Sequence, residues 1–280
     1  MLQTPERPEI KVLALDLDGT LTNSQKIITP RTRAALDAAV EKGVTLVLAS
    51  GRPTVGVRPV AEQLDLPRRG GCILSYNGGT VVDCTTWHTL YKKRLPAAIV
   101  PELCAFAARQ DVAVLTYDDR GIVTERPDDP WVQQEAAINH IPVHRVEDLA
   151  VYVNYPVSKM LFALDPARMD QVEAAAQKRF AGRLDVYRSC GFFLEAMPLG
   201  VTKDAGLAAL LGRMGLCRKN LMACGDGMND LPMLRYAGVG VAMQNADAAV
   251  KLGADYVTRA DNDHDGVGLA VEKFILNEET

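Results

Sequence analysis

The chain has 280 residues, of which 48% are hydrophobic, and its formal net charge is −4. This composition supports one large folded domain or two and excludes an intrinsically disordered chain. The lack of a basic surplus argues against nucleic acid or an anionic membrane as a partner. No apolar run approaches the ~20 residues that cross a bilayer, and residues 1–9 carry no apolar signal core. We therefore expect a cytoplasmic protein.

The six cysteines form no Cys-x-x-Cys pair, and several lie within apolar runs. Zinc sites and disulfide frameworks usually show regular cysteine spacing, which is lacking here. We interpret all six as buried thiols of a cytosolic protein.

The first predicted strand, residues 12–15, is an apolar run that Asp16 and Asp18 follow directly. Such a run is typical of a buried strand in a parallel sheet, where ligands bind at the carboxyl ends of strands. Two carboxylates there would repel each other, and a bound Mg²⁺ would remove the repulsion because a hard cation prefers oxygen ligands. One carboxylate could then attack phosphorus while the other gives and takes a proton. A strand followed by an ordinary Asp-Gly turn is the alternative.

A predicted helix begins at Thr29-Pro30, and residues 44–49 form the second predicted strand. Strand, helix and strand together predict a right-handed βαβ unit. The second strand ends in Ser50-Gly51-Arg52, which again places a polar group at a carboxyl end. Ser50 could donate to a phosphoryl oxygen or cap the next helix, and Arg52 alone indicates only a solvated or structural residue.

The third predicted strand, residues 72–75, leads through Asn77-Gly78-Gly79 into a fourth at residues 80–83. Asn-Gly is a strong hairpin signal, so a purely structural turn is a substantial alternative to a binding role here.

From about residue 84 to residue 198 the pattern changes, because short strands and helices alternate without acidic strand ends. We interpret this stretch as a separate α+β module inserted into the first domain. Its predicted strands are residues 112–117, 122–124, 159–164, 184–189 and 192–196, and its predicted helices are residues 96–110, 131–140 and 168–180.

The core resumes with a predicted helix that begins at Thr202-Lys203. A lysine in the first turn opposes the helix dipole, which suggests an anionic partner, although a solvated lysine is the simpler alternative. A predicted strand at residues 221–224 ends in Gly225-Asp226-Gly227-Met228-Asn229-Asp230. These acidic residues repeat the pattern of the first strand end. Two short strands and a closing helix complete the chain, at residues 239–243, 255–258 and 266–275.

The order and content of these strand ends resemble the haloacid-dehalogenase-like (HAD) superfamily of phosphotransferases. Asp16-Leu17-Asp18-Gly19-Thr20-Leu21 matches its first motif. The later motifs resemble those of the Cof-type phosphatases: Ser50-Gly51-Arg52, Asn77-Gly78, Lys203 and Gly225-Asp226-Gly227-Met228-Asn229-Asp230. The resemblance covers the whole chain and implies an α/β fold. Its core would be a doubly wound, Rossmann-like parallel sheet at residues 1–84 and 199–280, with an inserted α+β cap at residues 85–198 that selects the substrate.

The resemblance also implies roles for individual residues. Asp16 would be the nucleophile that forms an aspartyl-phosphate, and Asp18 would protonate the leaving alcohol and then activate water. Ser50 and Lys203 would hold the phosphoryl oxygens. The implied Mg²⁺ ligands and supporting residues are Asp16, Asp18 through its main-chain carbonyl, Asp226, Asn229 and Asp230. The implied substrate-binding residues are Gly51, Arg52, Asn77, Gly78 and Asn229.

The implied activity is Mg²⁺-dependent hydrolysis of phosphate monoesters of small metabolites, such as sugar phosphates or phosphorylated cofactors. Three positions depart from the family pattern without touching a catalytic residue: Asp204, Gln244 and His264. A phosphomutase of the same superfamily remains an alternative. So does a calcium-binding module at residues 261–272, whose spacing fits an EF-hand loop. The sequence identifies neither the physiological substrate nor the oligomeric state.

Overall fold

The computed structural model describes residues 9–278. Most of the stretch without a signal core, residues 1–8, therefore lies outside the described residues. By its internal contacts the chain divides into two compact units. Unit 1 runs to Gly51 and adds Arg58–Tyr91 and the chain from Thr202, and unit 2 comprises Arg52–Val57 and Lys92–Val201. The proposed domain limits at residues 84 and 199 stay a prediction.

Strands and helices alternate along the chain, as in an α/β protein. The strands are β1 (Val12–Leu15), β2 (Thr45–Ala49), β3 (Cys72–Ser75), β4 (Thr80–Asp83), β5 (Thr89–Lys92), β6 (Ala113–Asp118), β7 (Gly121–Thr124), β8 (Val143–Arg145), β9 (Met160–Ala163), β10 (Leu184–Cys190), β11 (Phe193–Pro198), β12 (Leu221–Gly225), β13 (Val239–Ala242) and β14 (Tyr256–Val257). The α-helices are α1 (Pro30–Glu41), α2 (Thr54–Gln63), α3 (Leu66–Arg69), α4 (Val100–Gln110), α5 (Pro130–Asn139), α6 (Leu149–Tyr152), α7 (Met169–Phe180), α8 (Lys203–Arg213), α9 (Leu231–Tyr236), α10 (Ala248–Leu252) and α11 (Gly266–Val271).

Unit 1 is built on an eight-stranded sheet with the order β14-β13-β12-β1-β2-β3-β4-β5. Its strands pair in parallel from β14 to β3, and β3 pairs antiparallel with β4. Every residue of β1 is buried, as expected for a central strand that is covered on both faces. The predicted doubly wound parallel sheet is confirmed.

The register of this sheet brings three strand ends to one edge. Leu15 of β1 lies opposite Leu48 of β2 and Cys224 of β12. The residues that follow, Asp16 and Asp226 among them, therefore emerge side by side. From β1 the chain continues to β2 on one side, whereas the neighbour on the other side, β12, comes much later in the sequence. Open α/β sheets bind ligands at such a switch point in strand order.

The turn between β3 and β4 packs against the start of α8. Tyr76, Asn77 and Gly78 have positive φ angles of 52°, 52° and 98°. A Cβ atom on Gly78 would lie 2.1 Å from the carbonyl oxygen of Thr202, so only glycine fits this close approach. The predicted tight turn therefore also fixes the position of Lys203, the first residue of α8.

Unit 2 contains a six-stranded sheet with the order β10-β11-β9-β6-β7-β8. Its pairs are antiparallel except that of β7 with β8. One face of the sheet packs on the helices α4, α6 and α7 through an apolar cluster. At its centre the ring of Phe106 lies 5.5 Å from those of both Phe162 and Phe180. This arrangement confirms the predicted α+β module.

Several details differ from the prediction. The short elements β5, β8, α3 and α6 were not expected, because three or four residues are too few to show a periodic pattern. The predicted helix at residues 266–275 is α-helical only to Val271. It continues as a π-helix over Glu272–Leu276. Cys104 and Cys190 are only half-buried, so the prediction of buried thiols holds fully for Cys72, Cys84 and Cys224. Cys217 is exposed, so the prediction of a buried thiol is wrong there. It lies in the loop between α8 and β12, where apolar neighbours in sequence do not ensure burial.

All six cysteines are free thiols. Within the described part of the chain, no helix is both long enough and apolar enough to span a membrane.

Candidate active site

Lys203 lies at the centre of the carboxyl-terminal edge of the unit 1 sheet and has no exposed surface. Its Nζ donates to Asp16 Oδ1 at 2.6 Å, to Asp230 Oδ1 at 2.5 Å and to the carbonyl oxygen of Ala49 at 2.8 Å. Two carboxylates therefore compensate an ammonium group that the helix dipole alone would disfavour. The alternative of a solvated lysine is wrong.

The loop after β12 brings a second pair of carboxylates to this edge. Asp230 Oδ2 accepts from the main-chain N–H of Asp226 at 3.0 Å and from that of Gly227 at 2.9 Å. A Cβ atom on Gly225 would lie 2.4 Å from the Cβ of Asp230, so glycine is required there. Asp226 in turn accepts from the hydroxyl of Thr20 through Oδ1 at 2.6 Å. The loop is thus tied to the motif that follows β1.

Burial and mutual repulsion dominate the electrostatics of these side chains. Burial, and next the charge of Asp230, raise the pKa of Asp16 to about 8, while Lys203 opposes the rise. Burial also raises the pKa of Asp226. Although burial disfavours the ammonium group, Asp16 and Asp230 raise the pKa of Lys203. One cation therefore does not balance the three carboxylates.

Asp16, Asp226 and Asp230 each offer an oxygen, and these oxygens lie within 4.8 Å of one another. In residues 9–278 this is the one cluster of acidic, histidine or cysteine side chains with such spacing. Clustered carboxylate oxygens with unbalanced negative charge suit a hard divalent cation such as Mg²⁺. The residues present therefore fit the cofactor that the sequence predicts.

The predicted residues at the ends of β2 and β3 also meet. Asn229 Nδ2 donates to Asn77 Oδ1 at 3.1 Å, and the N–H of Asn77 donates to the carbonyl of Ser50 at 3.0 Å. A Cβ atom on Gly51 would lie 3.2 Å from Asn77 Oδ1. Ser50 and Asn77 are buried beside these contacts. The structure thus brings together the motifs at residues 50–52, 77–78 and 225–230.

Asp18 and Arg52 are the remaining predicted site residues. Asp18 is partly exposed, and its Oδ1 accepts from Nζ of Lys26 at 2.6 Å. Arg52 belongs to unit 2 and is half-buried. Sequence reasoning missed Lys26 and the carbonyl of Ala49 as contacts of the predicted catalytic residues. Neither carries a sequence signal, because one lies in a polar loop and the other is a main-chain atom.

The acidic run at residues 261–272 does not have the form of an EF-hand. The strand β14 precedes it, where an EF-hand requires a helix. Its carboxylates engage separate partners instead of converging on one point. Asp261 contacts His264, Asp263 contacts Ser24, Asp265 contacts Thr29, and Glu272 contacts Arg31. This geometry argues against the calcium-binding alternative.

The three departures from the family pattern lie outside the cluster of carboxylates. Gln244 donates its main-chain N–H to the hydroxyl of Thr258 at 2.8 Å. His264 is exposed, and its contact with Asp261 raises its pKa. Oδ1 of Asp204 is buried without a hydrogen-bond partner among the described residues.

Comparisons with known proteins identify the family of the chain. The model of the haloacid dehalogenase-like hydrolase family matches residues 13–271. A crystal structure of a haloacid dehalogenase-like hydrolase from Bacteroides thetaiotaomicron shares 43% identity at a TM-score of 0.90, covering 95% of this chain and 99% of that one. The 5-amino-6-(5-phospho-D-ribitylamino)uracil phosphatase of Bacillus subtilis is 30% identical over 97% of this chain and 98% of its own length. The HMP-PP phosphatase of Serratia proteamaculans is 31% identical over 84% of both chains. The chain belongs to the haloacid dehalogenase-like hydrolase family and is a phosphatase of that family.

Proposed function

We propose that this chain hydrolyses phosphate monoesters of small metabolites in a Mg²⁺-dependent reaction that passes through an aspartyl-phosphate on Asp16. The observation that carries the proposal is the buried contact of Lys203 with Asp16 and Asp230, beside Asp226. This arrangement supports Asp16 as the nucleophile, Lys203 as a fixed cation and the three carboxylates as the metal ligands, because ligands of open α/β sheets bind at such a switch point.

Asp16, Asp226 and Asp230 would hold the Mg²⁺, with the main-chain carbonyl of Asp18 and the side chain of Asn229 as further proposed contributors. When bound, the ion would offset the negative charge of the phosphoryl oxygens and of the carboxylates around them. Asp230 has a second role, because its two oxygens hold both Lys203 and the loop amides in place.

In the first step an oxygen of Asp16 forms a bond to phosphorus while the bond to the leaving oxygen breaks. Asp18 gives its proton to that leaving oxygen, so an alcohol departs. In the second step Asp18 takes a proton from water, whose oxygen attacks the phosphorus. This step releases inorganic phosphate and restores the Asp16 carboxylate.

Lys203 and Ser50 would bind the phosphoryl oxygens throughout, since a preorganised ammonium and hydroxyl stabilise the charge of the transition state. The residues proposed to line the substrate site beside Ser50 are Gly51, Asn77 and Gly78. The N–H of Asn77 donates to the carbonyl of Ser50, and Gly51 lies against the side chain of Asn77. Arg52 and the selection of substrate by residues 85–198 stay predictions.

The proposed substrates are small phosphorylated metabolites, such as sugar phosphates or phosphorylated cofactors. The names of the Bacillus subtilis and Serratia proteamaculans relatives support this class, since both specify phosphatases of small phosphorylated compounds. A cytoplasmic location is proposed with it, and the six free thiols support that location.

The test compares wild type with Asp16→Asn on p-nitrophenyl phosphate and on a panel of phosphorylated metabolites, with Mg²⁺ or EDTA. We expect Asp16→Asn to lose turnover and to keep its fold by circular dichroism, because the change is nearly isosteric. Release of free phosphate without a sugar bisphosphate activator separates a phosphatase from the phosphomutase alternative. Turnover that persists in Asp16→Asn would exclude Asp16 as the nucleophile.

A further inference from the structure

The loop at residues 21–28 is here called the flap, and it contains a hydrogen-bonded turn. The side chain of Asn23 accepts from the N–H groups of Gln25 at 3.0 Å and Ile27 at 2.9 Å. The N–H of Lys26 donates to the carbonyl of Asn23 at 2.9 Å. Lys26 has a φ of +62°, which is uncommon for a lysine and persists where the surroundings fix it.

This turn directs the side chain of Lys26 to Asp18. Nζ lies 2.6 Å from Asp18 Oδ1, although 60% of the lysine side chain is exposed. Exposed ion pairs are usually weak because two long side chains must be held in one geometry. Here the turn already holds the backbone of the lysine, so that only its side chain has to be ordered.

A second set of contacts anchors the flap to residues 261–265, here called the latch loop. Asp263 accepts the N–H of Ser24 through Oδ1 and its hydroxyl through Oδ2, both at 2.7 Å. Asn262 donates to the carbonyl of Thr22 at 3.0 Å. The latch loop therefore binds the flap on the amino-terminal side of Lys26.

Asp265 of the latch loop contacts the hydroxyl of Thr29, just beyond the flap. The flap is thus held on both sides of Lys26. The acidic spacing that resembles an EF-hand serves to hold this segment.

We propose that Lys26 is a positioning residue: held by its turn and by the contact of Asp263 with Ser24, it keeps the Asp18 carboxyl group oriented for proton exchange with the leaving oxygen. This inference rests on the role proposed above for Asp18. In that step the proton passes from Asp18 to the leaving oxygen as the bond from phosphorus to that oxygen breaks. Lys26 itself exchanges no proton.

General acid catalysis matters most when the leaving group is a poor one. An alkyl oxygen needs a proton to depart, and positioned acids typically contribute ~10²–10⁴-fold to such steps. A p-nitrophenolate departs with little help. Misorientation of Asp18 should therefore slow an alkyl phosphate far more than p-nitrophenyl phosphate.

The test measures kcat and KM for glycerol 3-phosphate and p-nitrophenyl phosphate in Lys26→Met, Lys26→Arg and a matched control, Lys219→Met. Lys219 is an exposed lysine of unit 1 beside the amino end of β12. We expect Lys26→Met to lose at least about tenfold in kcat for the alkyl phosphate and less than about threefold for the aryl phosphate. KM should stay unchanged in Lys26→Met. Lys26→Arg should have most of the wild-type kcat for the alkyl phosphate, and Lys219→Met should have wild-type kcat for both substrates.

Asp263→Ala tests the latch loop with the same two substrates. We expect the same selective loss for the alkyl phosphate, because Ser24 loses both of its acceptors. Equal losses for both substrates in Lys26→Met, a rise in KM alone, or no loss would each overturn the inference. If Asp263→Ala loses kcat equally for both substrates, the latch loop has no part in positioning Asp18.

Asp18→Asn separates this inference from the function on which it rests. If Asp18→Asn hydrolyses the alkyl phosphate as wild type does, the proposed role of Asp18 fails, whatever Lys26 does. If Asp18→Asn is impaired selectively on the alkyl phosphate while Lys26→Met is not, only the role of Lys26 fails.

Discussion

Replacement of Lys203 by methionine removes a fully buried ammonium group and keeps most of the side-chain volume. Asp16 and Asp230, which it contacts at 2.6 Å and 2.5 Å, would then face each other without a cation. Loss of one partner from a buried ion pair typically costs about 3–5 kcal/mol. A domain has a total stability of only about 5–15 kcal/mol, so the expected loss is a large part of it.

The cost should depend on pH. Burial and Asp230 raise the pKa of Asp16 to about 8 against the opposing charge of Lys203, so removal of the lysine raises this pKa further. A carboxyl group with a raised folded-state pKa favours the fold below its unfolded pKa of about 4 and loses that contribution as the pH rises through the folded value. The deficit of Lys203→Met relative to wild type should therefore be largest above about pH 8 and smallest near pH 4.

Amide hydrogen exchange in β1 and β12, measured in EDTA, reports the local free energy of opening for Lys203→Met and for the control Lys219→Met. Turnover of p-nitrophenyl phosphate in Lys203→Met should fall by about 10²–10³-fold, as for the loss of one preorganised donor. Adding Asp230→Asn should restore part of the stability, with a coupling of about 0.5–3 kcal/mol. A loss below about 1 kcal/mol together with turnover within about twofold of wild type would refute the reasoning.

Two further predictions concern the metal set and the turn before β4. Asp226→Ala should greatly weaken Mg²⁺ binding in a calorimetric titration, and Asp263→Ala should not; tight Ca²⁺ binding lost only in Asp263→Ala would instead support an EF-hand. Gly78→Ala should lower the melting temperature, because its Cβ would lie 2.1 Å from a carbonyl oxygen at a φ of +98°. Gly212→Ala, with nothing within 4 Å of the new Cβ, should be neutral or stabilising by about 0.5–1 kcal/mol. Equal melting temperatures for the two variants would contradict this account.

The sequence indicates the strand ends because each is a short apolar run followed by a polar residue. β1, β2 and β12 have this form, and their ends carry Asp16, Ser50 and Asp226. The resemblance to a family adds a role for each of these polar residues. The parallel register that places Leu15 beside Leu48 and Cys224 is a tertiary property, so no local pattern contains it.

The contacts that the sequence does not predict join residues far apart in the chain. Lys203 reaches Asp16 across 187 positions, and Ser24 reaches Asp263 across 239. Spacing alone made a calcium loop around Asp263 an alternative, because local spacing shows which ligands could converge and not which distant donors contact them instead. Lys26 was missed although it lies only 8 positions from Asp18, since a lysine in a polar loop normally indicates solvent exposure.

The charges at the sheet edge explain why one lysine does not complete this site. If Asp16, Asp226 and Asp230 are all ionised and Lys203 is protonated, the net charge is −3 + 1 = −2, which is the charge that one divalent cation balances. A phosphate monoester is itself an anion and would be repelled by an edge that carries −2. Burial and next the charge of Asp230 raise the pKa of Asp16, so both effects disfavour its ionised form. A divalent cation bound here would offset that cost and the repulsion of an anionic substrate.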